Sequence, residues 1–145
     1  MERKEEKKEF FKVVSFEVIV KSKDNGSVFD SLSSANIKLL ISGQFIKHEV
    51  AEGNGPVNAL SNALCKALSY FDCLEKLKLV NYNVRIVNNE KGTASSVKVK
   101  ISFIDEEGGY NAESTSTDII SASLQALVEG FNWKIGKHVD KIFAD

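Results

Sequence analysis

The chain has 145 residues, 43% of them hydrophobic, with 19 Lys plus Arg against 20 Asp plus Glu and a formal net charge of -1. That is enough chain for one domain with its own core and too little for a TIM barrel, which takes about 250 residues. The balanced charge offers no field to gather nucleic acid or an anionic membrane, and no apolar run is long enough to span a bilayer. No secretory signal is read at the start, and Cys65 and Cys73, eight apart, form neither a disulfide framework nor a zinc spacing. The expectation is a cytoplasmic protein in a reducing setting.

Residues 1–10 are almost all charged and read as a linker. From Phe11 the pattern has period two. Val14, Phe16, Val18 and Val20 are expected on one buried face of a first strand. A turn cluster (22–27) leads to a second strand (36–42) with Ile37, Leu39 and Ile41 on one face, and a third strand (45–52) returns after a tight turn. Helical spacing of Val57, Leu60, Leu64, Ala67, Leu68 and Phe71 predicts a helix opening at Pro56, a residue suited to the first helical position. The second half repeats the plan: strands over 80–88, 95–103 and 110–116, then a helix from Thr117 or Asp118 with Ile120, Leu124, Leu127, Val128 and Phe131 inward. The tail, 135–145, spaces Ile135, Val139, Ile142 and Phe143 helically.

The two halves align. Val18 falls over Val84 at an offset of 66, and Ala59, Ala63 and Leu64 fall over Ala122, Ala126 and Leu127 at an offset of 63. The fold class is therefore α+β, with two pseudo-symmetric β-β-β-α repeats (about 11–72 and 78–132) forming one domain over 11–134. One helix cannot cover a whole sheet face, so the sheets and helices are expected to pack in a homodimer.

Candidate chemistry is sparse. His48 and His138 sit among charged residues and read as solvated. Cys65 and Cys73 have no histidine near them in sequence, and no metal-ligand spacing occurs. Lys38, Lys98 and Lys100 read as a solvated sheet face, because no aromatics interleave with them. Gly53-Asn54-Gly55-Pro56 lacks the Lys-Ser/Thr of a phosphate loop. It is open to two readings: a tight strand-to-helix turn, or a place where a small carboxylate meets the free N–H groups of a helix start.

Three strings carry a resemblance: HEVAEGNGPVNALSNALCKAL (48–68), VNYNVRIVNNEKGTASSVKV (80–99) and STDIISASLQALVEG (116–130). They resemble the C-terminal regulatory domain of the 2-isopropylmalate synthase and citramalate synthase family, and look most like citramalate synthases. The resemblance implies a dimeric domain that binds a branched-chain amino acid as feedback inhibitor, isoleucine for citramalate synthases and leucine for isopropylmalate synthases. It implies an effector pocket lined by Gly53, Asn54, Gly55 and Pro56, with Val57 and Asn58 behind. Leu79, Tyr82, Ile86 and Ala94 would line the same pocket, with Asp118 and Ile119 at the second helix start. Tyr82 and Ile86 share parity, so one pocket can receive both. Tyr110 stands where many citramalate synthases carry tryptophan.

The parent reaction of that family condenses acetyl-CoA with a 2-oxo acid on a metal-dependent barrel that this chain lacks. The chain is therefore expected to be no enzyme alone and to hold no cofactor, a divalent metal belonging to the catalytic domain. Its partners would be the amino acid, a second copy and that catalytic domain, with no nucleic acid or membrane. A structural dimerisation module without ligand is the alternative from another class.

Overall fold

The computed structural model describes residues 9–24, 26, 29–87 and 89–143. The charged stretch 1–8 lies outside the described residues, as do the side chains of Ile142 and Phe143. Three strands, β1 (Phe11–Asp24), β2 (Phe29–Ile41) and β3 (Phe45–Gly53), are followed by helix α1 (Pro56–Ala67). Three more, β4 (Lys78–Ile86), β5 (Val97–Asp105) and β6 (Gly108–Ser116), are followed by helix α2 (Ile119–Phe143). Each trio forms its own antiparallel sheet, in the order β1-β2-β3 and β4-β5-β6. The β-β-β-α unit read from the sequence is thus present twice.

Alternation on the two central strands decides which face takes the helix. Ala35, Ile37, Leu39 and Ile41 of β2 are buried, as are Val99, Ile101 and Phe103 of β5. Helix α1 lies on β2 and β3, α2 lies on β5 and β6, and the helices touch each other. One apolar cluster therefore runs through both units. The aligned residues Ala59 and Ala122, Ala63 and Ala126, and Leu64 and Leu127 are all fully buried. The alanines leave room for each helix to approach its sheet closely. Ser33 and Ser95 bury hydroxyls that have no hydrogen-bond partner among the described residues.

Two expectations need correction. The first strand's inward face was read as Val14, Phe16, Val18 and Val20, but a bulge makes Val14 an extra residue between Val13 and Ser15. Val13, Phe16 and Val18 lie opposite Leu39, Ile37 and Ala35, and Val14 is exposed. Val80 is the extra residue between Leu79 and Asn81 in the same place of the second unit. The bulge thus recurs at an offset of 66. Phe16 and Val20 remain 38% and 53% exposed, because α1 sits over β2 and β3 and leaves much of β1 uncovered.

The second correction concerns the helices. α1 stops at Ala67, earlier than the periodicity suggested, and Leu68 and Phe71 pack on the core from the following turn. The helical spacing of the tail belongs to α2, which runs on to Phe143. Two glycines within α2 make room for aromatic rings. A Cβ on Gly130 would stand 2.3 Å from the Phe103 ring, and one on Gly136 would stand 3.2 Å from the Phe10 ring. Lys134 is held against the β5–β6 turn by Asp105 and, at 3.6 Å, by Glu107.

Candidate functional site

The residues read from the sequence fall into two clusters, one at each helix start. The first is the glycine turn. Gly53 ends β3 opposite Ser33, and a Cβ there would come within 2.4 Å of the Ala59 amide nitrogen. Only glycine lets the strand pass so near the first turn of α1. Gly55 is different: its φ of -158 is extended backbone that any residue adopts, and a Cβ there would meet nothing within 4 Å. It is the N-cap residue of α1, and no side chain caps that helix.

Pro56 occupies the first helical position, where its missing N–H costs nothing. Asn58 reaches back, its Oδ1 accepting from the Asn54 amide at 3.0 Å. Asn62 donates to the Glu52 carbonyl at 3.0 Å and ties the helix to β3. No acidic residue lies in the first turn of α1. Its partial positive charge therefore faces outward unneutralised by its own side chains.

The second cluster gathers where α2 begins. Asp118 caps this helix: its Oδ1 accepts from the Ile120 amide at 3.0 Å, and its Oδ2 accepts from the Ser121 hydroxyl at 2.8 Å. The Ser121 hydroxyl and the Ile120 amide hold the carboxyl below its ordinary range. One turn on, Ser123 is fully buried and donates to the Ile119 carbonyl at 2.7 Å. Tyr82 reaches across from β4 and places its hydroxyl 2.7 Å from Ser123 Oγ.

The bulge at Val80 brings Leu79 into phase with Tyr82 and Ile86. These three lie opposite Phe103, Ile101 and Val97, on the helix side of their sheet. All three are exposed, Tyr82 at 43% and Ile86 at 59%, because α2 lies over β5 and β6. Ala94 is exposed at the end of the short turn that leads to β5.

The structure thus joins Tyr82 to the start of α2 and sets Leu79 and Ile86 beside it on one strand face. It gathers Gly53 to Asn58 at the start of α1. No hydrogen bond or ion pair among the described residues connects the two clusters. Ser123 was missed in the sequence because a serine in an apolar helical face carries no motif. Its signal was the repeat, which aligns it with Leu60.

Other candidates are ordinary. His48 is exposed and bonds Asn36 on the outer face of its sheet, and Lys98 pairs with Glu113 at 3.1 Å. Burial pushes the Cys65 and Cys73 thiols up. Among the described residues, no cluster of three His, Cys, Asp or Glu side chains could hold a metal ion. Among them, too, no helix is long and apolar enough to cross a membrane.

Residues 1–135 match the family described as the LeuA allosteric (dimerisation) domain. The chain is 40% identical over 131 residues to an (R)-citramalate synthase of Geobacter sulfurreducens, covering 90% of this chain and 24% of that protein. It is 38% identical over 125 residues to an (R)-citramalate synthase of Streptomyces coelicolor, covering 86% and 23%. It is 32% identical over 131 residues to one from Aquifex aeolicus, covering 90% and 24%. The chain spans about a quarter of the length of these relatives. With its paired β-β-β-α units and this match over most of its length, the chain belongs to the LeuA allosteric (dimerisation) domain family.

Proposed function

We propose that this chain is the feedback-regulatory part of a citramalate synthase-like enzyme, that it binds isoleucine, and that it works as a homodimer. The observation that carries the ligand reading is the contrast between the two helix starts. Asp118 already fills the start of α2 with negative charge, whereas α1 has a glycine cap and no side chain on its free amides. An amino acid's carboxylate is drawn to α1, at Gly53–Asn58. Its branched side chain is enclosed by Leu79, Tyr82, Ile86 and Ala94, beside Ile119. The outer lone pairs of Asp118 attract the ammonium group.

The dimer reading has its own support. Phe16 and Val20 on β1, and Tyr82 and Ile86 on β4, form matching apolar strips on the helix side of both sheets that neither helix covers. A second protomer related by a twofold axis would cover both strips. Condensation of acetyl-CoA with a 2-oxo acid belongs to the remainder of such an enzyme, and inhibition there would be the outcome of binding here.

The test is a thermal shift with isoleucine and with leucine. Ligand at a hundred times its Kd stabilises by about 2.7 kcal/mol. A shift with isoleucine at lower concentration than with leucine supports the reading. The reverse order makes the domain a leucine sensor of the isopropylmalate synthase kind. No shift with either leaves a dimerisation module.

A further inference from the structure

We propose that Asn132 is the positioning residue through which occupancy of the effector site reaches the chain leading into Phe10. This deepens the effector reading above and rests on it. Phe10 is held from both units at once. Its amide donates to Asn132 Oδ1 on α2 at 2.8 Å, and its carbonyl accepts from the Ser42 amide, at the turn after β2, at 2.8 Å. Its ring lies against Gly136, one turn beyond Asn132. Phe11 follows directly and is buried in the core.

Asn132 is itself buried, so its amide group is no surface accident. The clamp can close only when α2 and the first unit keep one relative position. The effector site has the same requirement at the other end of the helix. Gly53–Asn58 belong to the first unit, while Tyr82, Ser123 and Asp118 belong to the second. Ser123 and Asn132 are nine residues apart on α2, about 14 Å along the helix. Ligand and clamp therefore bias one coordinate, the seat of α2 against the first unit, and linkage makes their coupling reciprocal.

Breaking the clamp frees that seat and weakens binding at the site. The experiment is calorimetric titration with isoleucine of wild type, Asn132→Ala and Asn132→Asp, alongside melting curves and hydrogen exchange of the Phe10 amide. Asn132→Ala should weaken isoleucine binding about fivefold or more. Asn132→Asp keeps the acceptor and should restore binding to about twofold of wild type, within the spread that a retained charge-assisted bond allows. In wild type, isoleucine should slow exchange of the Phe10 amide, a readout that needs no variant to fold.

A lowered Tm in Asn132→Ala with wild-type isoleucine affinity makes the residue merely structural and overturns the proposal while the effector reading stands. Unchanged Phe10 exchange on saturation with isoleucine overturns it equally. No isoleucine binding by wild type removes the effector reading and this coupling together.

Discussion

Tyr82 on β4 and Ser123 on α2 share a hydrogen bond of 2.7 Å between residues 41 apart in sequence. Ser123 gives its own hydrogen to the Ile119 carbonyl, so the Tyr82 hydroxyl donates. Their repeat counterparts are Phe16 and Leu60, which carry no polar atom. The two units share one frame, and at these aligned positions only the second joins its first strand to its helix by a hydrogen bond. Tyr82→Phe and Ser123→Ala should each lower stability by about 0.5–1.5 kcal/mol. In a double-mutant cycle the pair should couple, so that the double variant loses less than the sum. Strict additivity in chemical denaturation would mean that the bond contributes nothing.

The repeat makes a matched pair of core predictions. Leu64 and Leu127 are fully buried at aligned positions. Truncating either to Ala should cost roughly 2–5 kcal/mol. The measurement is urea unfolding of both variants, and two unchanged midpoints would contradict the shared core.

The glycine turn separates architecture from binding. Gly53→Ala places a Cβ against the backbone of α1 and should destabilise by about 1–3 kcal/mol, as overpacking does. Gly55→Ala meets open space at an ordinary φ and should change the Tm little. Equal melting of the two variants would be inconsistent with the close approach of β3 to α1.

Lys134 and Asp105 make a nearly dry ion pair, with side chains 10% and 9% exposed. The hydrogen bond from Lys134 holds the Asp105 carboxyl below its usual range. Burial alone would lower the Lys134 ammonium, but the hydrogen bond and charge of Asp105, with Glu107, raise it on balance. A lowered carboxyl contributes stability that is present above its unfolded pKa of about 4 and is lost as pH falls further. A raised amine contributes stability that is present below about 10.4 and is lost as pH rises beyond it. Lys134→Met leaves the buried Asp105 carboxylate without its cation and should cost about 3–5 kcal/mol near neutrality. That deficit should shrink as pH falls below about 4 toward the lowered pKa of Asp105, and a deficit constant from pH 7 to pH 3 would count against the pair.

The duplication was legible because apolar periodicity survives in both halves and Ala59, Ala63 and Leu64 have counterparts at one offset. The bulges were not, because an extra apolar residue directly after another, Val14 after Val13 or Val80 after Leu79, changes only the phase. Parity alone puts Tyr82 with Ile86 and leaves Leu79 on the opposite face; the bulge reverses that. The sequence reading divides α2 at residue 135, and Gly130, Lys134 and Gly136 lie around that division. Phe103, Asp105 and Phe10, all distant in sequence, give them their reason. Asp118 was legible as the start of the second helix, whereas Ser123 needed its partner across the sheet.

The most direct test of the central claim is calorimetric titration with isoleucine of wild type, Gly55→Val and Tyr82→Ala. Gly55 faces open space in front of α1, so a valine there fits the fold and occupies the place assigned to the carboxylate. Tyr82→Ala removes the aromatic wall beside Leu79 and Ile86. Wild type should bind isoleucine in preference to leucine by roughly ten- to hundredfold, the worth of about 1–3 kcal/mol of apolar fit. Gly55→Val should abolish binding and Tyr82→Ala should weaken it, with folding intact in both. Isoleucine bound by both variants with wild-type affinity would contradict the account, because neither helix start nor strand face would then hold the ligand.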